Sequence, residues 1–303
     1  MPEFVKTLTR AVLGLAFIAL LAASDALAQN ALAGEWRASI DSEKQDKIHL
    51  TFERRGRNGG RNQTGMNYDF ADLQGLSREQ AAAGGSVRFS LVREAGRIDC
   101  EGSFQNGKGS GTFRFTGNQS FVSAMKGRGF DFESAASAKH GDHDLEERLF
   151  AATTLNVTTA LADDLLSADF GKLTVDDLFK AAIFKVDSKF MREMKASGFP
   201  GLGMEELVKA RIFKIDADFV RQVAQMGFRD EQFESLVKMR IFKVTPEFIS
   251  EAKSEGLSNL SVEDLVKMRI FKIDGAFIRQ ARAEGVPLEV ERLVQKRIGV
   301  RTR

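Results

Sequence analysis

The sequence feature that most constrains the fold is a four-residue segment that returns at a constant interval. It consists of Ile-Phe-Lys followed by Ile or Val, and consecutive copies are 29 residues apart. A fixed period of about 20–50 residues is typical of stacked repeat architectures, in which a short unit buries its apolar face only against its neighbours. The copies begin at Ile183, Ile212, Ile241 and Ile270.

The same period extends to other positions. Three columns keep one residue type: Leu178, Leu207, Leu236 and Leu265; Phe190, Phe219, Phe248 and Phe277; and Gly198, Gly227, Gly256 and Gly285. A column that varies is expected to face water: Lys189, Asp218, Glu247 and Ala276. We predict units at 173–200, 202–229, 231–258 and 260–287, with a degenerate unit at 149–170 and partial units at 121–130 and 288–303.

Each unit is predicted to form two short helices that meet at the Ile-Phe-Lys turn. Ser261 and Asp264 have the spacing of a capping box at the start of a first helix. The second helices have suitable N-cap residues at one fixed position: Asp187, Asp216, Thr245 and Asp274. The glycine column falls where a helix ends in a left-handed residue, which explains it without a ligand. We therefore expect a stack of helical pairs over 119–303, with Leu, Ile and Phe columns in its core.

The segment at 31–118 has a different pattern. Apolar and polar residues alternate in Lys47–Glu53, Ser86–Arg93 and Gly111–Thr116, and Gly- and Asn-rich turn signals separate these runs. Such a pattern predicts a small antiparallel β meander, either a sandwich or a partly closed barrel. The expected fold class is therefore α+β in two domains, a β domain followed by the helical repeat array.

The start of the β domain, Gly34-Glu35-Trp36, resembles the Gly-x-Trp opening of lipocalin-like barrels. A barrel of that kind implies a site for a small apolar ligand, lined here by Trp36, Phe89 and Phe115. The other interpretation is that Trp36 is a core residue of a first strand. Phe is used far more often than Tyr or Trp, 25 residues against one of each, which favours packing over stacking on bases or sugars.

The first 28 residues have the organisation of a signal peptide. Lys6 and Arg10 precede an apolar run, and Ala26-Leu27-Ala28 is a small-x-small cleavage pattern. We expect an exported protein, periplasmic or released, that has no membrane span after cleavage; an uncleaved anchor is the alternative. Cys100 is the single cysteine, so it is expected to be a buried small apolar residue without an internal disulfide.

Three basic columns of the repeat are the main candidates for contact with a protein partner. They include Arg211, Arg240 and Arg269, together with Lys214, Lys243 and Lys272. A third column, Lys209, Lys238 and Lys267, follows Glu205, Glu234 and Glu263 by four residues, which predicts ion pairs within each helix. The arginines have no acidic column at that spacing, so stacked units are expected to present them as a stripe. A solvated face without a function is the alternative interpretation.

Other chemistries find little support in the sequence. His140, Asp142 and His143 form a weak candidate zinc site, although a polar loop explains them equally. The chain contains no His-Glu-x-x-His, Gly-x-Ser-x-Gly or Walker-type motif, so we expect no enzyme activity and no cofactor. Paired short helices also occur in helix-hairpin-helix units, but those need a glycine-bearing hairpin that the Ile-Phe-Lys turn lacks. With a net charge of +2, no nucleic-acid partner is expected.

Larger motifs carry a resemblance to a bacterial family. These are Cys100-Glu-Gly102, the segment Gly111-Thr-Phe-Arg-Phe115, and the repeat Leu-Val-Lys-Met-Arg-Ile-x-x-Val-Thr-Pro-Glu-Phe-Ile from Leu236 to Ile249. Together they resemble an uncharacterised exported repeat family, similar to repeats fused to membrane metallopeptidases of the β-lactam-sensor, antirepressor type. The peptidase and its zinc motif are absent from this chain. The resemblance implies a regulatory or sensory extracytoplasmic segment and supplies no catalytic residue.

Together, these features predict a non-enzymatic exported protein whose helical array is an interaction or scaffold surface, in sensing or regulation at the envelope. The alternative function is binding of a small apolar ligand in the β domain, with the helices as a relay or a dimerisation element. The identity of the partner and the oligomeric state do not follow from the sequence.

Overall fold

The computed structural model describes residues 32–40, 46–55, 60–134, 145–229 and 231–300. The predicted signal segment, 1–28, and the candidate zinc ligands His140, Asp142 and His143 lie outside the described residues. The chain divides into two compact units, Met1–Thr159 and Ala160–Arg303. The first contains a β-sheet and the second is helical, so the α+β class in two parts is confirmed.

The first unit is built on one seven-stranded antiparallel sheet that forms a half-barrel. The strands follow the order β3-β2-β1-β7-β6-β5-β4. Their bounds are β1 Ala33–Ile40, β2 Lys47–Arg55, β3 Arg61–Asp69, β4 Leu73–Gln74, β5 Gly85–Arg93, β6 Gly96–Gln105 and β7 Lys108–Gly117. Because β1 and β7 pair with each other at the middle of the sheet, the two ends of the β segment are joined by hydrogen bonds.

The predicted Asn-Gly turn sets the register of β6 against β7. Asn106 and Gly107 have φ values of 52° and 72°, and Gln105 pairs with Lys108 on either side of them. Two successive left-handed residues are what a tight hairpin of this kind requires, and Asn and Gly adopt them most readily. Gly102 pairs with Gly111 further along the same hairpin.

Short helices cover the apolar side of this sheet. They are α1 Arg78–Ala83, α2 Gln119–Lys126 and α3 Leu145–Leu155, with a single 3-10 turn at Phe70–Asp72. Phe150 of α3 packs its ring against Phe52, Phe113 and Phe115, with centroid separations of 5.8, 5.5 and 5.5 Å. The β domain was predicted to end at 118, whereas the compact unit extends to Thr159 and includes α3, whose Phe150 packs on the sheet.

The second unit consists of short helices of eight to ten residues. They are α4 Thr159–Leu166, which spans the division, α5 Val175–Phe184, α6 Ser188–Ala196, α7 Met204–Phe213, α8 Ala217–Gln225, α9 Phe233–Ile241, α10 Pro246–Ser254, α11 Val262–Ile270, α12 Gly275–Ala283 and α13 Val290–Arg297. Alternate helices contact in chain order, α5 with α7, α7 with α9, α9 with α11 and α11 with α13. Among the helices that the structure describes, none has the length and apolarity needed to cross a bilayer.

The helix ends are capped as predicted. Ser261 and Asp264 form a reciprocal capping box at the start of α11. The predicted N-cap side chains of α6, α8, α10 and α12 each accept a hydrogen bond from the backbone N–H of the Phe three residues later. The glycine column has φ values between 77° and 101°, so those residues do adopt the left-handed conformation.

Burial separates the apolar columns into two classes. The Leu column is at most 2% exposed and the Phe column at most 8% exposed, which confirms both as core. The isoleucine that opens each Ile-Phe-Lys turn was also expected in the core, and this expectation is wrong. Ile183, Ile212, Ile241 and Ile270 are 50%, 52%, 49% and 51% exposed. The aliphatic residue that is buried is the fourth of the segment: Val186, Ile215, Val244 and Ile273.

Candidate interaction surface

The lysine column at 209, 238 and 267 is used to join helices. Lys209 forms a salt bridge with Glu234 at 2.8 Å, which belongs to the next odd-numbered helix and not to its own. The same pairing recurs in Lys180–Glu205, Lys238–Glu263 and Lys267–Glu291. The hydrogen bond from Lys209 to Glu234 raises the pKa of that ammonium group. The sequence predicted pairing with the glutamate four residues earlier. The salt bridges seen here join each lysine to the next odd-numbered helix, and the charge of Glu205 also contributes to the raised pKa of Lys209.

The arginine column is placed over the aromatic column. Each guanidinium carbon lies 3.6–4.2 Å from the centroid of a Phe ring in the preceding even-numbered helix. The pairs are Arg211–Phe190, Arg240–Phe219, Arg269–Phe248 and Arg297–Phe277. A cation over a ring face is attracted by the ring quadrupole, and partial burial strengthens that attraction.

Arg240, Arg269 and Arg297 also donate hydrogen bonds to carbonyl groups at the end of an earlier helix, whereas Arg211 lies 3.8 Å from the Asp187 carboxylate. Arg240 Nη2 donates to the Lys214 carbonyl oxygen at 2.7 Å, and Arg269 Nε donates to that of Lys243 at 2.9 Å. Carbonyl groups at a helix C-terminus lack partners within the helix, so these three arginines each satisfy an acceptor that is otherwise left to water. Burial lowers the pKa of Arg240, and the charge of Asp216 opposes that shift.

The chain contains a copy in which both members of this contact are changed. One period before Phe190 the residue is Leu161, and one period before Arg211 it is Ala182. The arginine is thus missing where the ring is missing. The contacts account for the recurrence of Arg211, Arg240 and Arg269; a role for them in binding a partner stays a prediction.

The lysines of the turn itself have a different environment. Lys185, Lys214, Lys243 and Lys272 are exposed, with φ values of 57°, 53°, 52° and 51°. A left-handed conformation is unfavourable by about 1–2 kcal/mol for a residue with a Cβ, and glycine avoids this. Among the residues that the structure describes, these four side chains form no ion pair. Within the described part of the chain, it is the one basic column whose side chains form no ion pair.

The exposed isoleucines lie two residues before these lysines. We refer to the eight residues as the isoleucine–lysine row: Ile183, Lys185, Ile212, Lys214, Ile241, Lys243, Ile270 and Lys272. A single exposed aliphatic side chain is ordinary in a soluble protein. Half-exposure of the same residue at the same position in four copies indicates a surface that is repeated as a unit.

The equivalent turn in the first unit of the molecule differs. One period before Ile183 and Lys185 the chain has Thr154 and Asn156. Thr154 is 2% exposed and its carbonyl oxygen accepts a hydrogen bond from the Tyr68 hydroxyl at 3.3 Å. Asn156 adopts the same left-handed conformation, with φ of 57°. Thr154, in place of the row isoleucine, is buried, whereas Asn156, in place of the row lysine, is exposed.

The three residues of the alternative ligand site lie inside the sheet unit. Trp36, Phe89 and Phe115 are 0%, 3% and 0% exposed. Trp36 packs edge-on against Phe89 at 5.1 Å and donates from Nε1 to the Glu101 carbonyl oxygen at 3.2 Å, whereas Phe115 contacts Phe150. The rings thus pack on protein side chains, and ligand binding there stays a prediction.

Reactive side chains are few in the described part of the chain. Cys100 is 3% exposed, and burial raises the pKa of its thiol, so the prediction of a buried apolar role is confirmed. The described residues contain no cluster of three or more His, Cys, Asp or Glu side chains able to hold a metal ion.

The isoleucines were missed at the sequence level, although a signal was present. Ile270 follows Leu265 by five residues, and residues five apart do not share a helix face, whereas those three or four apart do. Its conservation of type across copies suggested core packing, but the helical spacing places it away from the buried leucine. Lys185 belongs to the same column as Lys214 and was not among the predicted candidates.

Comparison with known proteins gives no family assignment. No protein-family model matches the chain, and no curated protein matches it significantly.

Proposed function

We propose that this chain is a non-enzymatic exported protein whose helical part is a docking surface for another protein at the cell envelope. In this proposal the 29-residue units form a stacked array. The contacts between successive odd-numbered helices, together with the Lys–Glu and Arg–Phe pairs that recur between copies, support that arrangement. An array of this kind presents equivalent side chains along one line, which suits extended contact with a partner.

The observation that carries the proposal is the isoleucine–lysine row. Its four isoleucines are half exposed, and its four lysines hold an unfavourable backbone conformation without any ion pair among the described residues. Residues kept in sparsely populated conformations are a reason to look for a function. The other recurring basic residues have internal partners, so the row is the part of the repeat that packing does not explain.

Photo-crosslinking tests the proposal. A photoreactive amino acid is placed at Ile212 or Ile241 in cells that express the chain, and at Asp218 or Glu247 as matched controls. The control positions recur with the same period and are exposed. We expect protein adducts from the isoleucine positions only. Equal adduct formation from both columns, or none from either, contradicts the proposal.

The export part of the proposal has its own measurement. Intact mass and N-terminal sequencing of the protein recovered outside the cytoplasm are expected to show a chain that begins at Gln29. A protein that remains in the cytoplasm with Met1 retained contradicts export.

A further inference from the structure

We infer that the isoleucine–lysine row binds an acidic peptide segment of a partner protein, in which acidic and apolar side chains alternate with a short period. This inference rests on the proposed docking function and specifies the chemistry of the partner. Three features support it: the positive charge of the turn lysines, their left-handed backbone conformation and the expected spacing of the row.

The turn lysines carry positive charge that no ion pair among the described residues neutralises. The Lys209-type residues pair with glutamates, and the Arg240-type residues lie over Phe rings. Arg240 and Arg269 also donate to carbonyl groups, whereas Arg211 lies 3.8 Å from the Asp187 carboxylate. The N-cap Asp216 is occupied by the backbone N–H of Phe219. The turn lysine is left as an unpaired positive charge beside an apolar side chain. A partner that covers the row must therefore offer negative charge next to apolar surface.

The second argument is the choice of residue at the turn. Asn156 shows that this chain can place asparagine in the same left-handed position, and Gly299, with φ of 77°, shows the same for glycine at the end of α13. Both residues adopt that conformation with less strain than lysine. Packing alone therefore favours Asn or Gly at all six turns. Lysine nevertheless occupies four of the six turns, and this choice points to a requirement for its ammonium group. The Gly299 turn follows Ile298, which is also exposed, so lysine is not needed to form a turn beside an exposed isoleucine.

The spacing between neighbouring members of the row restricts the conformation of a bound peptide. Packed helices lie about 8–10 Å apart, so neighbouring members of the row are expected at about that spacing. A polyproline-type peptide rises about 3.1 Å per residue and completes a turn in about three residues, which places every third side chain on one face at about 9 Å. In an extended segment with an acidic residue at every third position, the spacing of the acidic side chains thus matches the expected spacing of the lysines.

Two other occupants fit less well. A second copy of the same row brings lysines against lysines, which is unfavourable for self-association. A membrane surface is also anionic, but the isoleucines are only half exposed and the neighbouring phenylalanines are partly buried, which suits side-chain packing better than insertion into lipid.

The test uses the full mature chain and labelled peptides in a fluorescence anisotropy titration. The probe contains four Glu-Leu-Pro triplets, and the control peptides replace every Glu by Gln or every Leu by Ser. The first variant combines Lys185→Asn, Lys214→Asn, Lys243→Asn and Lys272→Asn, which keeps the left-handed turns. The second variant replaces the same lysines by Arg, and the third changes the four row isoleucines to Thr, the residue found at Thr154.

We expect the Asn and Thr variants to weaken binding of the Glu-Leu-Pro peptide by about tenfold or more, since four exposed contacts of modest strength are removed together. The Arg variant is expected to stay within about threefold of the natural chain because it keeps the charge. Both control peptides should bind more weakly, and added salt should weaken the parent interaction. Unaltered circular dichroism confirms that each variant is folded.

Equal binding by the Asn variant and the natural chain overturns the inference, as does equal binding of the Gln control peptide. Binding to phosphatidylglycerol vesicles in the absence of peptide binding also overturns it, in favour of a lipid surface. If the row gives protein adducts in cells while the peptide does not bind, the partner chemistry is wrong and the docking function survives. If neither occurs, both are wrong.

Discussion

The two units of this chain handle apolar surface in opposite ways. In the sheet unit, rings from several elements converge on one another, and among the described residues Val92 is the single large aliphatic side chain that is clearly exposed, at 39%. In the helical unit, each copy of the Ile-Phe-Lys turn leaves an isoleucine about half exposed. The sheet unit therefore buries, fully or in part, nearly all of its large aliphatic side chains that the structure describes. The helical unit leaves the same isoleucine exposed in each copy of the turn, where it does not contribute to the core.

The largest effect on stability is expected in the sheet. There Gly102 and Gly111 allow β6 and β7 to approach closely beneath Trp36. A Cβ added at Gly111 clashes with the Glu101 carbonyl oxygen of the neighbouring strand. We expect Gly111→Ala to lower the free energy of unfolding by about 3 kcal/mol, because overpacking forces the strands apart. Urea denaturation followed by tryptophan fluorescence measures this, since Trp36 is the single tryptophan.

Gly60→Ala is the matched control for that substitution, because nothing lies within 4 Å of a Cβ added there. We expect it to change stability by less than about 0.5 kcal/mol. Comparable losses for the two variants mean that close packing beneath Trp36 does not hold the sheet together.

The next largest effect is expected from an arginine of the helical unit. Arg240→Ala removes the contact with the Phe219 ring and the hydrogen bond to the Lys214 carbonyl oxygen. We expect a loss of about 2 kcal/mol, from roughly 1 kcal/mol for each interaction. Thermal unfolding monitored by circular dichroism at 222 nm gives the value. Arg221→Ala is the control, since Arg221 is exposed and, among the described residues, forms its ion pair with Asp218 on its own helix.

An Arg240→Ala variant as stable as Arg221→Ala contradicts the assignment of the arginine column to packing. Arg240 then returns to the set of free side chains available to a partner. In that case the arginines and the turn lysines no longer differ in their contribution to stability.

A smaller effect is expected from the salt bridges between helices. Lys238 pairs with Glu263, and both side chains are about half exposed. Lys238→Ala is expected to lower stability by about 0.5 kcal/mol at low salt and by less at high salt, because exposed pairs are screened. A double-mutant cycle with Glu263→Gln measures the interaction itself. A coupling energy of zero at low salt shows that this pair does not join the two helices.

The smallest effect is expected at the turn. Lys243→Asn keeps a left-handed residue that asparagine tolerates better than lysine does. We expect stability to be unchanged or to rise by up to about 0.5 kcal/mol. Chemical denaturation checks this, with Lys243→Val as a control that should be destabilised, because a β-branched residue is strongly disfavoured at positive φ. A marked loss for Lys243→Asn means that the lysine side chain is structural.

Much of the fold follows from local signals in the sequence. The Asn106-Gly107 hairpin, the Ser261–Asp264 capping box and the glycine column depend on backbone preferences that residue type reveals directly. Strand β3 was missed because its sequence, RNQTGMNYD, is polar, and Tyr68 is its one buried residue. An edge strand is held by backbone hydrogen bonds to its neighbour, which leave little trace in side-chain pattern.

The surface was harder to predict than the fold. The period shows that Lys209, Arg211 and Lys214 each belong to a recurring column. It does not show which neighbouring residue each side chain contacts. Lys209 has one glutamate four residues earlier and another, Glu234, one period later, and the contact between α7 and α9 brings Glu234 within reach. The sequence therefore revealed that basic residues recur, whereas the division between structural and free charges required three-dimensional contacts.

The central claim is that the arginine column holds the helical unit together while the turn lysines are free for a partner. The most direct test is the unfolding free energy of two triple variants, Arg211→Ala/Arg240→Ala/Arg269→Ala and Lys214→Asn/Lys243→Asn/Lys272→Asn, measured side by side in urea. The account predicts a loss of about 4–6 kcal/mol for the arginine variant, or failure to fold, and a change within about 1 kcal/mol for the lysine variant. Equal losses for the two variants, or a stable arginine variant beside an unfolded lysine variant, would contradict it.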